Sequence, residues 1–334
     1  MKKLLIISFS LVALLAMAQQ KSGYKMLRTF SIASSGGWDY LAVNENKLYV
    51  SHGTQVNILD KKTGDSAGVI PNTTGVHGIA FINSIGKGYT SNGRLNSVTV
   101  FNLSDNKVIT QIPTGENPDA IMYDGFTNKI ITCNGRSNDL SVIDPSSQKV
   151  IATIQVGGKP ETAVTNEAGK WYVNIEDKSE ILQVNAQTYK VEQRWSIAPG
   201  ESPTGLVYDP ATKLLFAGCE KLLVVVDALT GKMQQQLPIG DGCDGVALDK
   251  EKRLVFTSNG EGTMTVIKID KTGKCGILDN VSTKKGARTI AIDEVTHHLY
   301  LPTAEFQPLP AGATEGTRPA MKPGTFQVLV LGVN

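Results

Sequence analysis

Seven residues able to carry charge or hydrogen bonds recur along the 334-residue chain at intervals of about 40 positions: Asp39, His77, Asp119, Glu161, Thr204, Asp244 and Arg288. Each stands at the head of a short, largely apolar stretch, as in Asp119-Ala120-Ile121-Met122-Tyr123-Asp124. Brought into one place, the four carboxylates and the imidazole would make a cation cage or an acid–base site. Oxygen ligands from Asp119, Glu161 and Asp244 suit calcium or magnesium, and adding His77 admits zinc or manganese. Crowded carboxylates also raise one another's pKa, a property of functional sites. The plainer reading of the same residues is that they solvate a water-filled passage and bond to neighbouring backbone. Arg288 then neutralises its acidic neighbours without any ion, and His77 is a hydrogen-bonded structural histidine. Trp38 and Tyr40 flank Asp39. Aromatic faces at a pocket mouth stack on sugars or flat ligands, and their plainer use is packing between elements.

A repeat must position these residues. An apolar strand ends in Asp or Asn, a polar turn follows, and a second strand starts after Lys, Arg or His. This is legible in Tyr208-Asp209 … Lys213-Leu214-Leu215-Phe216, in Leu248-Asp249 … Arg253-Leu254-Val255-Phe256 and in Ile292-Asp293 … His298-Leu299-Tyr300-Leu301. The copies at Phe81-Ile82-Asn83 and Thr165-Asn166-Glu167 are looser. One copy gives the full plan: strand A over Asp119–Asp124, B over Lys129–Cys133, C over Leu140–Asp144 and D over Lys149–Val156. Val, Ile, Leu and Tyr fill the strands, and Asn, Asp, Gly and Pro fill the turns. Seven such copies of four short strands predict an all-β, seven-bladed β-propeller.

The last copy lacks a strand D, and Tyr24–Ile32 is a strand with no A, B or C before it. The N-terminal strand is therefore expected to complete the final blade and close the ring, which leaves no unpaired edge between first and last blades. Antiparallel strands put the A–B and C–D turns on one face and the B–C loops and D-to-A crossings on the other. Strands A line the central channel, so the seven residues are expected to ring its mouth on the second face. That face also carries Arg94 and Arg136, read as anion partners or as ordinary turn residues. A long Pro- and Gly-rich insertion, Ala304–Gly324, separates strands B and C of the last copy. It reads as a lid or rim over the mouth, or as a mobile surface insertion; in either case proteases should cleave near Thr317–Arg318, and protection of that bond by a ligand would favour the lid.

The repeats resemble the YVTN/YncE-like β-propellers of bacteria and archaea. The matching residues are Thr90-Ser91-Asn92-Gly93 … Ser97-Val98-Thr99-Val100, Asn134-Gly135 … Leu140-Ser141-Val142-Ile143-Asp144 and Thr257-Ser258-Asn259-Gly260 … Thr263-Met264-Thr265-Val266. The copies around Val173-Asn174-Ile175 and Ala217-Gly218-Cys219 depart from the pattern. The resemblance implies the propeller fold over the chain after its leader and implies no particular activity.

Residues 1–18 read as a secretory signal peptide: Lys2 and Lys3, an apolar stretch from Leu4 to Leu15, then Ala16-Met17-Ala18. The expectation is an exported protein, periplasmic or secreted, forming a single propeller domain over residues 19–334 with no membrane span. Removing Lys2 and Lys3 leaves 31 basic side chains against 31 acidic ones, a balance that disfavours nucleic acid as a partner. Cys133, Cys219, Cys243 and Cys275 form no C-x-x-C and no haem-attachment motif. Export leaves a Cys219–Cys243 disulfide open, with packed free thiols as the alternative. No G-x-S-x-G, P-loop or H-E-x-x-H sequence occurs. The sequence reading is a monomeric, non-catalytic scaffold that binds a small ligand, a glycan or a protein at the channel mouth. The alternative is a divalent-metal-dependent hydrolase, lactonase or lyase working in the channel, by analogy with other propellers.

Overall fold

The computed structural model describes residues 21–309, 312 and 319–334. The expected signal peptide and the Thr317–Arg318 bond lie outside these residues. Seven sheets of four antiparallel strands follow the A-B-C-D order from the channel outward. Blade 1 is Trp38–Asn44, Lys47–His52, Gln55–Asp60 and Ser66–Ile70; blade 3 is Pro118–Asp124, Lys129–Asn134, Asp139–Asp144 and Lys149–Gln155. The other blades begin at Val76, Pro160, Gly205, Cys243 and Ala291. Successive A strands abut one another around the channel, and the first also meets the last.

The ring closes through the N-terminal strand. Lys25–Ser31 pairs antiparallel with the last strand, from Lys25 opposite Gly332 to Ser31 opposite Gln327, and so supplies strand D of blade 7. The Ile32 N–H continues the ladder by donating to the Phe326 carbonyl at 3.0 Å. Seven apolar clusters hold the ring, each made by two neighbouring blades. Stability therefore lies in sheet-on-sheet interfaces rather than in one central core, as in other repeat architectures. All four cysteines are free and buried. Among the described residues, no helix is long and apolar enough to cross a membrane.

The recurring Thr-x-Asn-Gly sequence has a physical role. Asn92, Asn134 and Asn259 end their B strands fully buried, where an unsatisfied amide is costly. In each, the side-chain oxygen accepts from the Thr two residues earlier, at 2.9 to 3.0 Å. The amide nitrogen donates to a hydroxyl of strand C: Thr99 at 2.8 Å, Ser141 at 2.8 Å and Thr265 at 3.1 Å. In blades 2 and 6 the residue before that Asn ties the blade to the channel. Ser91 accepts from Gly78 N–H at 2.8 Å and donates to the carbonyl of Asp119 in the next blade. Ser258 bonds the carbonyls of Gly245 and Arg288, and Asn174, where the motif departs, reaches the Gly205 carbonyl at 3.0 Å.

Candidate functional site at the channel mouth

The A strands are not regular where the ring residues sit. Between Trp38 and Leu41, Val76 and Ile79, Pro118 and Ile121, Pro160 and Ala163, and Cys243 and Gly245, strand A carries one residue more than its partner strand. Such bulges re-aim side chains at sheet edges and functional sites. They contain Asp39, His77, Asp119, Glu161 and Asp244. Thr204 precedes an unbulged strand and Arg288 precedes the three-residue strand Ala291–Asp293.

Asp39, Trp38, Tyr40, Asp119, Glu161, Thr204, Asp244 and Arg288 line a cavity of about 740 Å3 at the channel mouth. His77 is not on its wall but bonds Asp39, which is: Nδ1 lies 2.6 Å from Asp39 Oδ2 and 3.7 Å from Asp119 Oδ1. Arg288 pairs with Asp244, reaches Asp39 at 3.5 Å, and donates to the Trp38 carbonyl at 3.2 Å. Glu161 is engaged by Lys159 at 2.8 Å, and the same ammonium pairs with Glu176. The Thr204 hydroxyl donates to the Cys243 carbonyl at 2.9 Å. The four acids and His77 thus fall into three groups. Asp39, His77 and Asp119 converge on one side, while Glu161 and Asp244 each hold a cation.

Crowding changes the proton affinities. Burial, then the charge of Asp39, holds the Asp119 carboxyl above the usual carboxylate range. Burial and the Asp119 charge raise Glu161 against the pull of Lys159. Burial lowers His77, but its bond to Asp39 and the nearby acids outweigh this and raise it. Burial, with Asp119 and Glu161, keeps the Tyr40 phenol protonated.

Trp38 is packed rather than open-faced. Its ring stacks on Phe326 at a centroid distance of 5.4 Å and tilts against Phe306 at 6.0 Å. Phe306 and Pro319 come from the long insertion and line the cavity, so its described arms form part of the rim. These arms pair: Gln307 N–H donates to Ala320 O and Lys322 N–H to Glu305 O, both at 2.8 Å. Gly286 admits Phe306, since a Cβ at Gly286 would stand 2.8 Å from its ring.

Sequence reasoning missed Lys159, Glu176 and Lys285, which also line the cavity. They sit in the D-to-A crossings and a B–C loop, the right face, but the A-strand alignment carries no signal for them. Arg94 and Arg136 do not line the cavity. The far end of the channel holds a second cavity of about 590 Å3 walled by Met122, Val164, Val207, Ile290 and Ile292.

The fold and this mouth define the class: a seven-bladed β-propeller with a polar, charge-crowded channel entrance. No family model matches the chain, and no curated protein matches its sequence. Among solved structures, the hydrazine synthase of Kuenenia stuttgartiensis is similar. Its TM-score is 0.72 and its identity 14%, over 80% of this chain and 93% of that one. At that identity the likeness shows the propeller fold alone.

Proposed function

We propose that the protein is an exported, YVTN/YncE-like propeller scaffold that binds a small polar molecule, or the polar end of a glycan or protein, at the channel mouth. One observation carries this reading: the cavity of about 740 Å3 is walled by both signs of charge. Its size is that of a small-molecule site, and fixed polar groups set among apolar ones give orientation and specificity. Lys159, Lys285 and Arg288 offer anion contacts, Asp119 and Glu161 offer carboxyl contacts, and Phe306 contributes an apolar edge. These groups suffice to bind and orient a small polar ligand.

A thermal-shift panel of glycans, amino acids and small organic acids on residues 19–334 tests this. The expected result is a hit that raises the melting temperature of the wild type but not of Lys159→Met or Asp119→Asn. Hits that shift both variants equally, or no hit at all, would count against the mouth. The catalytic reading, a metal-dependent hydrolase or lyase, is favoured by the convergence of Asp39, His77 and Asp119. Turnover of lactone or ester substrates that requires added metal and is lost in His77→Gln would establish it.

A further inference from the structure

We propose that Asp39, His77 and Asp119, from three successive blades, form a site for one divalent transition-metal cation, zinc or manganese. The inference deepens the reading of the mouth as the binding face and rests on it. One ligand atom from each residue lies within 4.8 Å of the others, and Nδ1 is the imidazole nitrogen that faces both carboxylates.

Three features build this corner. Each residue sits in the extra-residue segment of its own A strand, so three separate bulges turn these side chains to one point. The backbone on either side of the corner is fixed from behind: Ser51 accepts from Asp39 N–H at 3.1 Å, and Ser91 bonds Gly78 N–H and the Asp119 carbonyl. Gly93 leaves room for the imidazole, since a Cβ there would stand 2.7 Å from His77 Nε2.

A second observation is how the acids of the mouth are paired. Lys159 serves Glu161 and Glu176, and Arg288 serves Asp244 first and Asp39 second. Asp119 is different. Its side chain is 14% exposed, and among the described residues its one ion-pair partner is His77 at 3.7 Å, beyond hydrogen-bond range. Its carboxylate faces the cavity with no cation in hydrogen-bond range, and a metal held with Asp39 and His77 would supply one. One imidazole and two carboxylates suit zinc or manganese better than calcium, which prefers all-oxygen cages. Three protein ligands leave coordination positions free, and Asp39 and Asp119 face the cavity where a bound molecule could take them.

Calorimetric titration of chelator-stripped, untagged protein with zinc, and separately with manganese, tests this. The expected result is saturable binding of one equivalent of at least one of the two metals. His77→Gln and Asp119→Asn should each weaken it by about tenfold or more. Gly93→Ala, which crowds the imidazole without removing a ligand, should weaken it less, and the exposed Asp105→Asn should leave it unchanged. Circular dichroism confirms that each variant is folded; if a ligand variant is not, Gly93→Ala and cobalt absorption spectra of the wild type carry the test. Failure of both metals to saturate, or full affinity in folded Asp119→Asn, overturns the proposal. A panel hit that still binds the stripped protein would leave the binding reading standing, so the two failures are distinguishable.

Discussion

His52 occupies the strand position that Asn92, Asn134 and Asn259 hold in other blades. It uses aromatic stacking where they use an amide network. Its ring lies 3.9 Å from that of Phe326, its Nε2–H donates to the Gly36 carbonyl at 2.8 Å, and Nδ1 meets the Ser34 hydroxyl. Burial pushes its pKa below 6.5, against the opposing pull of the Gly36 bond. The unfolded chain therefore binds a proton more readily than the folded one. The contribution of His52 is present above pH 6.5 and is lost as pH falls through the folded pKa. His52→Asn should flatten the pH dependence of the melting temperature below 6.5, and an unchanged profile would refute this role. At Asn134 the network is buried, and Asn134→Ala removes the acceptor of the Thr132 hydroxyl and the donor to Asp139 at 2.6 Å and to Ser141. The expected cost is about 1–3 kcal/mol in urea denaturation. The Asn-Gly signature was legible in the sequence as a motif. Its reason, a buried hydrogen-bond network joining strands B and C, was not, because spacing alone cannot tell a turn asparagine from a buried one.

At the scale of strands and turns, neighbouring blades are latched at the face opposite the mouth. Strand A of blades 5, 6 and 7 ends in Asp209, Asp249 and Asp293, each almost wholly buried and each gripped by the next blade round the ring. Arg253 makes two bonds to Asp209 at 2.7 and 2.8 Å, His297 meets Asp249 at 2.7 Å, and Lys61 of blade 1 meets Asp293 at 2.7 Å. Burial raises Asp209, but the bonds from Arg253 and Thr212 outweigh it and hold its carboxyl below 3.8. Its stabilising effect is therefore present above pH 3.8 and lost as pH falls. Arg253→Met leaves a buried carboxylate unpaired and should cost about 3–5 kcal/mol, read from denaturant midpoints. A change below 1 kcal/mol would mean that Asp209 is accommodated by Thr212 and the Ala211 N–H without Arg253. The Asp that ends each of these strands was visible in the repeat, and so was the strand plan. The bulges that aim Asp39, His77, Asp119, Glu161 and Asp244 were not, because an extra residue in a strand leaves no compositional mark.

On the scale of the whole molecule, closure joins the two ends of the chain. Phe30 is buried against Tyr300 at a centroid distance of 6.5 Å, Arg28 donates to the Lys62 carbonyl at 2.8 Å, and Tyr24 packs edge-on against Phe256 at 4.9 Å. One strand thus touches blades 1, 6 and 7. A chain beginning at Gly36 should melt well below the protein starting at residue 19, or fail to fold. Equal melting temperatures would contradict closure as the stabilising device. This arrangement was legible because an orphan strand at one end matched a missing one at the other. The division of the mouth was not: alignment gathered seven positions, but Lys159 and Lys285 lie in crossings where the charge does not repeat, Asn117 and Gly242 standing where Lys159 does. The central claim is that the mouth, and not the apolar far end of the channel, is where a ligand binds. Hydrogen exchange with the tightest hit of the thermal-shift panel tests it most directly. The account predicts protection at Trp38–Tyr40, Glu176, Arg288 and Phe306. Protection confined to Asn166–Glu167, Tyr208, Lys250 and Glu294, around the far cavity, would contradict it.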